Sequence, residues 1–332
     1  MDKMKIHPQV SIVVPFFNEE ANIEELYRSL KTVLDRLRVS YELIFIDDGS
    51  TDGSSAILMK LYDQDERVRT IRLRKNFGQT AALQAGFDYA QGEIIISMDG
   101  DLQHDPEDIP AMLDKMREGF DIVSGWRKNR VDNLIFRKIP SSAANRMMKR
   151  LSGVQIHDFG TTFKAYKKNV IKGVRLYGEL HRFIPALISR EGVKITEIPI
   201  RNIVRKKGKS NYGLSRVRRV LFDLLTVKFI ISFIDRPLQF FGLIGLGFGG
   251  VGFFIALILT LGFYAFGWSI RENLGNLIFG IFMMILGVQF VMTGLLGEVI
   301  SRIYFKTHDM KIYSVEEAKS HDDISGAGQA VP

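Results

Sequence analysis

Three short acidic clusters hold the residue types best suited to chemistry. They are Pro15-Phe16-Phe17-Asn18-Glu19-Glu20, Asp47-Asp48-Gly49-Ser50-Thr51-Asp52 and Asp99-Gly100-Asp101-Leu102-Gln103-His104-Asp105, and each follows an apolar run. A single such cluster is ordinary turn chemistry, since Asp, Gly and Ser favour turns. Three of them at successive strand ends mean more, because ligands of a parallel sheet sit beyond the carboxyl ends of its strands. The third cluster is the sharpest. Two carboxylates, Asp99 and Asp101, flank a glycine on a tight turn and can face one hard cation, with Gln103 as a third oxygen ligand. An ion of that kind, Mg2+ or Mn2+, would bind a diphosphate and cancel charge as a leaving group departs.

The elements that must position these clusters are legible as an α/β pattern. Gln9–Pro15, Tyr41–Asp47, Val68–Leu73, Glu93–Met98 and Asp121–Ser124 are predicted strands, and the Val/Ile/Leu runs among them suit strands buried on both faces. Helical patterns at Ala21–Arg38, Ser54–Gln64, Thr80–Ala90 and Pro106–Arg117 alternate with them, as in a mostly parallel, Rossmann-like sheet covered by helices. Asp105 before Pro106 is a helix cap followed by proline at the first helical position. A helix around Ser142–Leu151 and a strand at Lys194–Ile200 are expected further on, and Arg205–Asn211 (RKKGKSN) is too polar and glycine-rich for a packed element.

The last third of the chain is different. No charged residue lies between Pro237 and Arg271, and none from Asn273 to Gly297. Each run exceeds the ~20 residues that cross a bilayer core, so two transmembrane helices are expected. Leu214–Ile234 has apolar residues at helical spacing with Arg216, Arg218, Arg219 and Lys228 between them, the pattern of a helix lying in the membrane interface. The organisation expected is a cytoplasmic domain over 1–212, an interfacial helix over 213–236, two spans within 237–304, and a partly disordered tail over 305–332. The net charge of +8 is concentrated beside the spans, from Arg201 to Lys228 and again at Arg302, Lys306 and Lys311. The positive-inside rule therefore sets both flanks, and the domain before them, in the cytoplasm of a multi-pass inner-membrane protein. Basic residues at that place suit anionic lipid headgroups better than nucleic acid, which is not an expected partner. Glycine-rich stretches such as Gly242–Gly252 would permit close helix packing and homo-oligomers. The absence of cysteine rules out disulfides and thiolate metal sites.

Taken together, VVPFFNEE, FIDDGSTDGS, RKNFGQTAALQAGFDYA and SMDGDLQHDPEDIP resemble the motifs of the inverting family 2 glycosyltransferases with the GT-A fold. The likeness is greatest to their polyprenyl-phosphate branch, which includes dolichyl-phosphate mannose synthase and bactoprenol glucosyltransferases, and the paired spans match the bacterial type. The motifs cover residues ~9–215 and are far more specific for the family than for the sugar. The resemblance implies transfer of a sugar, with UDP-glucose as the first expectation, from a nucleotide-sugar donor to a polyprenyl-phosphate lipid. GDP-mannose, a UDP-linked amino-pentose or a UDP-N-acetylhexosamine are alternative donors. By the same resemblance, Pro15, Phe17 and Glu19 line the nucleobase and ribose pocket, and Asp47 or Asp48 holds the base edge. Asp99 sits near the ribose and diphosphate and joins Asp101 and Gln103 around the metal. Arg127, Arg137 and Ser141 contact the lipid phosphate, while Arg205 and Lys209, in an Arg-x-x-Gly-x-Ser loop that continues to Ser210 and Tyr212, close over the donor. Arginine forks suit phosphate oxygens in any case.

Asp158, in His157-Asp158-Phe159-Gly160-Thr161-Thr162-Phe163, faces the sugar by the same resemblance, as base or positioner. The acceptor phosphate carries roughly 1.5 to 2 negative charges near neutral pH and is a nucleophile without deprotonation, so positioning is the preferred role. His104 and His157 are expected to pack rather than to ligate metal. Two alternatives are weighed against this reading. A processive polysaccharide synthase would need more than two spans and a Gln-x-x-Arg-Trp segment that the chain lacks. A non-catalytic nucleotide-binding membrane scaffold would have no need of the Asp99, Asp101 and Gln103 set.

Overall fold

The computed structural model describes residues 8–128, 148–149, 152–176, 178, 180–189, 192–201, 203, 237–306 and 312–321. The chain divides into two units: residues 1–227 with 311–332, and residues 228–310. The first is built on an eight-stranded sheet in the order β7-β5-β6-β4-β1-β2-β3-β8. β1 (Val10–Phe16), β2 (Tyr41–Asp47), β3 (Val68–Leu73) and β4 (Ile94–Ser97) pair in parallel, as their apolar runs require. β5 (Ile122–Trp126) and β7 (Ile195–Pro199) form a second parallel pair. Between the two sets lies β6 (Lys164–Lys167), antiparallel to both β4 and β5.

Helices α1 (Glu20–Leu37), α2 (Ser54–Gln64), α3 (Gln79–Tyr89) and α4 (Ile109–Arg117) connect the parallel strands. On α1, the buried residues Ile23, Leu26, Tyr27, Leu30, Val33 and Leu34 recur at helical spacing and form one apolar stripe against the sheet. Its end is set by Arg38 in the left-handed region at φ 54°. The expected helix over 106–117 begins as a short 3-10 turn, Pro106–Asp108, and the Asp105 side chain caps it by accepting from the Glu107 N–H at 3.0 Å. Strand and helix bounds elsewhere fall within a residue or two of the sequence pattern.

The order of strands decides where a ligand can sit. The chain runs outward from β1 through β2 to β3, then returns to place β4 on the other side of β1. The crevice between the ends of β1 and β4 is therefore the topological switch point of the sheet, the usual ligand site of such folds. Backbones approach closely there: a Cβ on Gly100 would lie 2.5 Å from the Phe16 ring, so only glycine fits after Asp99.

One element departs from the expected tail. Val315–Lys319 form β8, which pairs antiparallel with β3 and covers that edge of the sheet. Tyr313 donates to the Asp88 carboxylate at 2.9 Å, and His321 stacks on Tyr62 with ring centroids 4.0 Å apart. Polarity alone hides such a strand, because an edge strand needs no apolar run when one side of it faces water.

The second unit holds two long helices, Pro237–Phe266 and Leu274–Lys306, with continuous spans of 30 and 27 residues long and apolar enough to cross a membrane. Large apolar side chains such as Leu246, Phe254 and Val288 are exposed. A Cβ on Gly245 would meet the Gly287 carbonyl oxygen at 2.6 Å, and one on Gly252 the Gly280 oxygen at 2.5 Å. Several of the glycines expected to serve oligomers are thus turned toward the other helix of the same chain, where small residues let two backbones approach. The expected helices over 142–151 and 213–236 lie largely or wholly outside the described residues.

Candidate active site at the switch point

The loops after β1 and β2 are laced together by side chains. Asn18, left-handed at φ 56°, accepts from the Thr51 N–H at 2.8 Å, and its own N–H donates to the Ser50 hydroxyl at 3.1 Å. The Glu19 N–H donates to the Ser54 hydroxyl at 3.0 Å, and Glu20 accepts from the Gly53 N–H at 2.8 Å. This fixed wall leaves Phe17 exposed beside half-buried Pro15 and Glu19, the arrangement expected for stacking a base. Asp47 and Asp48, one of which is expected to hold the base edge, are both buried. Asp48 is 3% exposed, and its two oxygens accept from the N–H groups of Phe77 and Gly78 at 2.8 and 2.9 Å. Burial raises its carboxyl pKa. Asp47, equally buried, accepts from the Ser50 N–H at 2.8 Å. That geometry has Asp48 hold the loop before α3. Gly49, at φ 70°, lets the two loops touch, since a Cβ there would lie 2.5 Å from the Lys75 carbonyl carbon.

The acidic turn after β4 is held from three sides. Gln79, the first residue of α3, donates from Nε2 to Asp99 Oδ1 at 2.5 Å. The Gln103 N–H donates to Asp101 Oδ1 at 3.2 Å, with Leu102 between them left-handed at φ 60°. The Asp99 N–H points to His104 Nδ1 at 3.4 Å, while the His104 ring stacks on Phe163, centroids 5.2 Å apart. Burial pushes the His104 imidazole down to about 4, so it is neutral at pH 7. Asp101 and Gln103 are half exposed at the cleft. Among the described residues no group of three or more His, Cys, Asp and Glu could enclose a metal. A site of one or two carboxylates and an amide oxygen still fits Mg2+ or Mn2+, because such ions keep waters and take further oxygens from a substrate's phosphates. Asp99 Oδ1 is bound to Gln79 and Asp101 Oδ1 to the Gln103 N–H, and each carboxylate has a second oxygen for such an ion.

The third wall comes from β5 and the turn before β6. Arg127, one residue beyond β5, donates from Nε to Asp158 Oδ2 at 2.7 Å and from Nη2 to Oδ1 at 3.1 Å. Asp158 Oδ1 also accepts from the Gly160 N–H at 3.0 Å. A carboxylate accepting three hydrogen bonds orients its arginine, whose planar guanidinium suits the oxygens of a phosphate. His157 stacks on Trp126 at 4.5 Å and pairs with Glu197, which leaves it a packing residue. Arg137, Ser141, Arg205, Lys209, Ser210 and Tyr212 lie outside the described residues.

Two residues with no assigned role in the sequence reading stand inside this site. Gln79 was visible only as part of a longer motif. Lys164, the first residue of β6, is fully buried and bonds the Phe159 and Thr161 carbonyl oxygens, the former at 3.1 Å. Its signal was a lysine directly after an apolar residue and two places before another, in Phe163-Lys164-Ala165-Tyr166.

A mostly parallel sheet with acidic turns gathered at its switch point, and an antiparallel strand inserted beside it, defines a nucleotide-binding domain of the GT-A type. Residues 11–175 match the model of glycosyl transferase family 2. The chain is 41% identical over 328 residues to the dodecaprenyl-phosphate galacturonate synthase of Rhizobium johnstonii, covering 96% of this chain and 95% of that one. It is 36% identical over 321 residues to the undecaprenyl-phosphate 4-deoxy-4-formamido-L-arabinose transferase of Shewanella sediminis, with the same coverage of 96% and 95%. In fold it is similar to glucosyl-3-phosphoglycerate synthase from Mycobacterium tuberculosis, crystallised with Mn2+, UDP and phosphoglyceric acid: TM-score 0.51, 20% identity, 67% of this chain and 78% of that one. The chain belongs to glycosyltransferase family 2.

Proposed function

We propose that this protein transfers a sugar from a nucleoside-diphosphate donor to a polyprenyl phosphate, with inversion, at the cytoplasmic face of the inner membrane. The observation that carries the acceptor is the Arg127–Asp158 fork at the end of β5, an oriented guanidinium in the same cleft end as the Asp99–Asp101 turn. The two relatives support it, since both are named for a polyprenyl-phosphate product or acceptor. Pro15, Phe17 and Glu19 flank the nucleobase and ribose. Asp99, aimed by Gln79, faces the ribose and diphosphate. Asp101 and Gln103 would hold Mg2+ or Mn2+, which when bound neutralises the departing diphosphate. An oxygen of the lipid phosphate forms the new bond to the anomeric carbon while the bond to the nucleoside diphosphate breaks on the opposite face. The already ionised acceptor needs alignment rather than a base, and Arg127 aligns it.

The strands that precede and follow the apolar helices along the chain belong to one sheet, because β8 comes after the second helix and pairs with β3. An even number of crossings satisfies that connection, and the basic flanks favour the cytoplasmic side. For the sugar, a UDP-linked uronic acid takes precedence over UDP-glucose, on the strength of the 41% identical galacturonate synthase, followed by a UDP-linked amino-pentose. The test is a panel with purified protein, undecaprenyl phosphate and Mg2+ or Mn2+: UDP-galacturonate, UDP-glucose, a UDP-amino-pentose, UDP-N-acetylglucosamine and GDP-mannose. Transfer from one UDP-sugar to give a lipid monophosphate sugar is expected. No transfer from any donor, with nucleotide still bound, would support the non-catalytic scaffold instead.

A further inference from the structure

Lys164 is an anomaly in the site. It lies on β6 opposite Ser97 of β4 and Ser124 of β5, in the middle of the sheet, and is fully buried. No carboxylate lies within ion-pairing distance of its ammonium among the described residues, and its partners are the Phe159 and Thr161 carbonyl oxygens. Burying a charge without a directly bonded counter-ion is costly, even with Asp158 and Asp99 acting on it from further off, so a chain that keeps one there must gain something local. Burial holds its pKa down to about 7.

The gain is visible in the turn that carries Asp158. The carbonyls of Asp158, Phe159, Thr161, Thr162 and Phe163 all accept hydrogen bonds, respectively from the Ser124 hydroxyl, Lys164 Nζ twice, the Ser97 hydroxyl and the Gly125 N–H. Lys164 supplies two of these five, and the turn so held delivers Asp158 to Arg127. We infer that Lys164 is a positioning residue for the acceptor: by pinning the 158–163 turn from beneath, it fixes the Arg127–Asp158 fork in the orientation that receives the lipid phosphate. It touches neither substrate, and both of its hydrogen bonds are made to the turn on the acceptor side of the cleft. The donor wall, made by the loops after β1, β2 and β4, shares no hydrogen bond with Lys164 among the described residues.

This inference rests on the proposed acceptor, and the two can fail separately. Lys164→Met, Lys164→Arg and Ser97→Ala are compared with the parent in full-length protein, by initial rates of transfer to undecaprenyl phosphate and by nucleotide binding measured separately. Lys164→Met leaves two buried carbonyls unpartnered, and the KM for lipid phosphate rises about tenfold while donor KM and nucleotide affinity stay within about twofold. Lys164→Arg, which keeps the donors, recovers part of that loss. Ser97→Ala removes one hydroxyl from the other side of the same turn and raises the acceptor KM about threefold, which keeps the test decisive even if Lys164→Met fails to fold. Acceptor and donor constants that move together, or an unchanged acceptor KM in Ser97→Ala, would overturn the positioning role. A parent protein that binds nucleotide yet never glycosylates polyprenyl phosphate would instead overturn the proposed acceptor.

Discussion

On the β1–β2 side of the cleft the site is made of backbone turns stitched by short polar side chains; on the β5–β6 side it is made of a half-buried ion pair set above a buried ammonium. The first construction places its functional groups at the surface of a wall that stands without them. Phe17 and Asp101 reach the cleft, while Asn18, Ser50, Asp48 and Gly49 hold the loops. The second merges scaffold and function, since Arg127 and Asp158 retain only 15% and 9% of side-chain exposure and are paired with each other. Chemistry and stability should therefore separate on the donor side and travel together on the acceptor side.

The sharpest contrast comes from Asp101→Ala. Transfer should fall by about 10²- to 10³-fold, the usual cost of losing one electrostatic group aimed at developing charge, with an unchanged melting temperature. Arg127→Ala should lower both quantities, because Asp158 is left largely buried without its partner. A loss of about 3 kcal/mol in unfolding free energy is expected alongside a raised KM for lipid phosphate. If Arg127→Ala leaves stability untouched, the distinction between the two sides fails. Gln79→Ala removes the hydrogen bond that holds Asp99 Oδ1 and should reduce kcat/KM about fivefold to tenfold in a steady-state assay, with little change in melting. The smallest effect belongs to the far edge of the sheet. Tyr313→Phe loses the bond to Asp88 and should cost about 1 kcal/mol in denaturant unfolding while leaving both KM values alone.

The same division explains what the sequence revealed. The donor wall is written locally: each acidic cluster follows its own strand, and the apolar periods that set β1 to β4 and α1 to α4 lie beside it. The strand ends that carry Asp99, Asp101 and Phe17 are legible from the sequence pattern. The acceptor wall is written at long range. Arg127 and Asp158 are 31 residues apart, and the antiparallel strand that joins them to β4 arrives after a segment without clear periodicity. Lys164 gave one signal, a charge where the alternation demanded an inward side chain. Asp48 was ambiguous for the opposite reason, since a carboxylate in an acidic cluster resembles a ligand whether it faces the cleft or holds its neighbouring loop. β8 was hidden because its pairing partner lies more than 240 residues earlier in the chain.

The central claim is that the site aligns a phosphate that is already a nucleophile, with Asp158 serving Arg127 rather than removing a proton. Turnover and acceptor KM of Asp158→Asn against the parent, measured from about pH 6 to 8 at saturating donor, test it most directly. The account predicts a higher KM for lipid phosphate, a kcat within a few-fold of the parent, and parallel pH profiles. A kcat reduced by about 10²-fold or more at saturating acceptor, with an altered pH profile, would make Asp158 a base and contradict it.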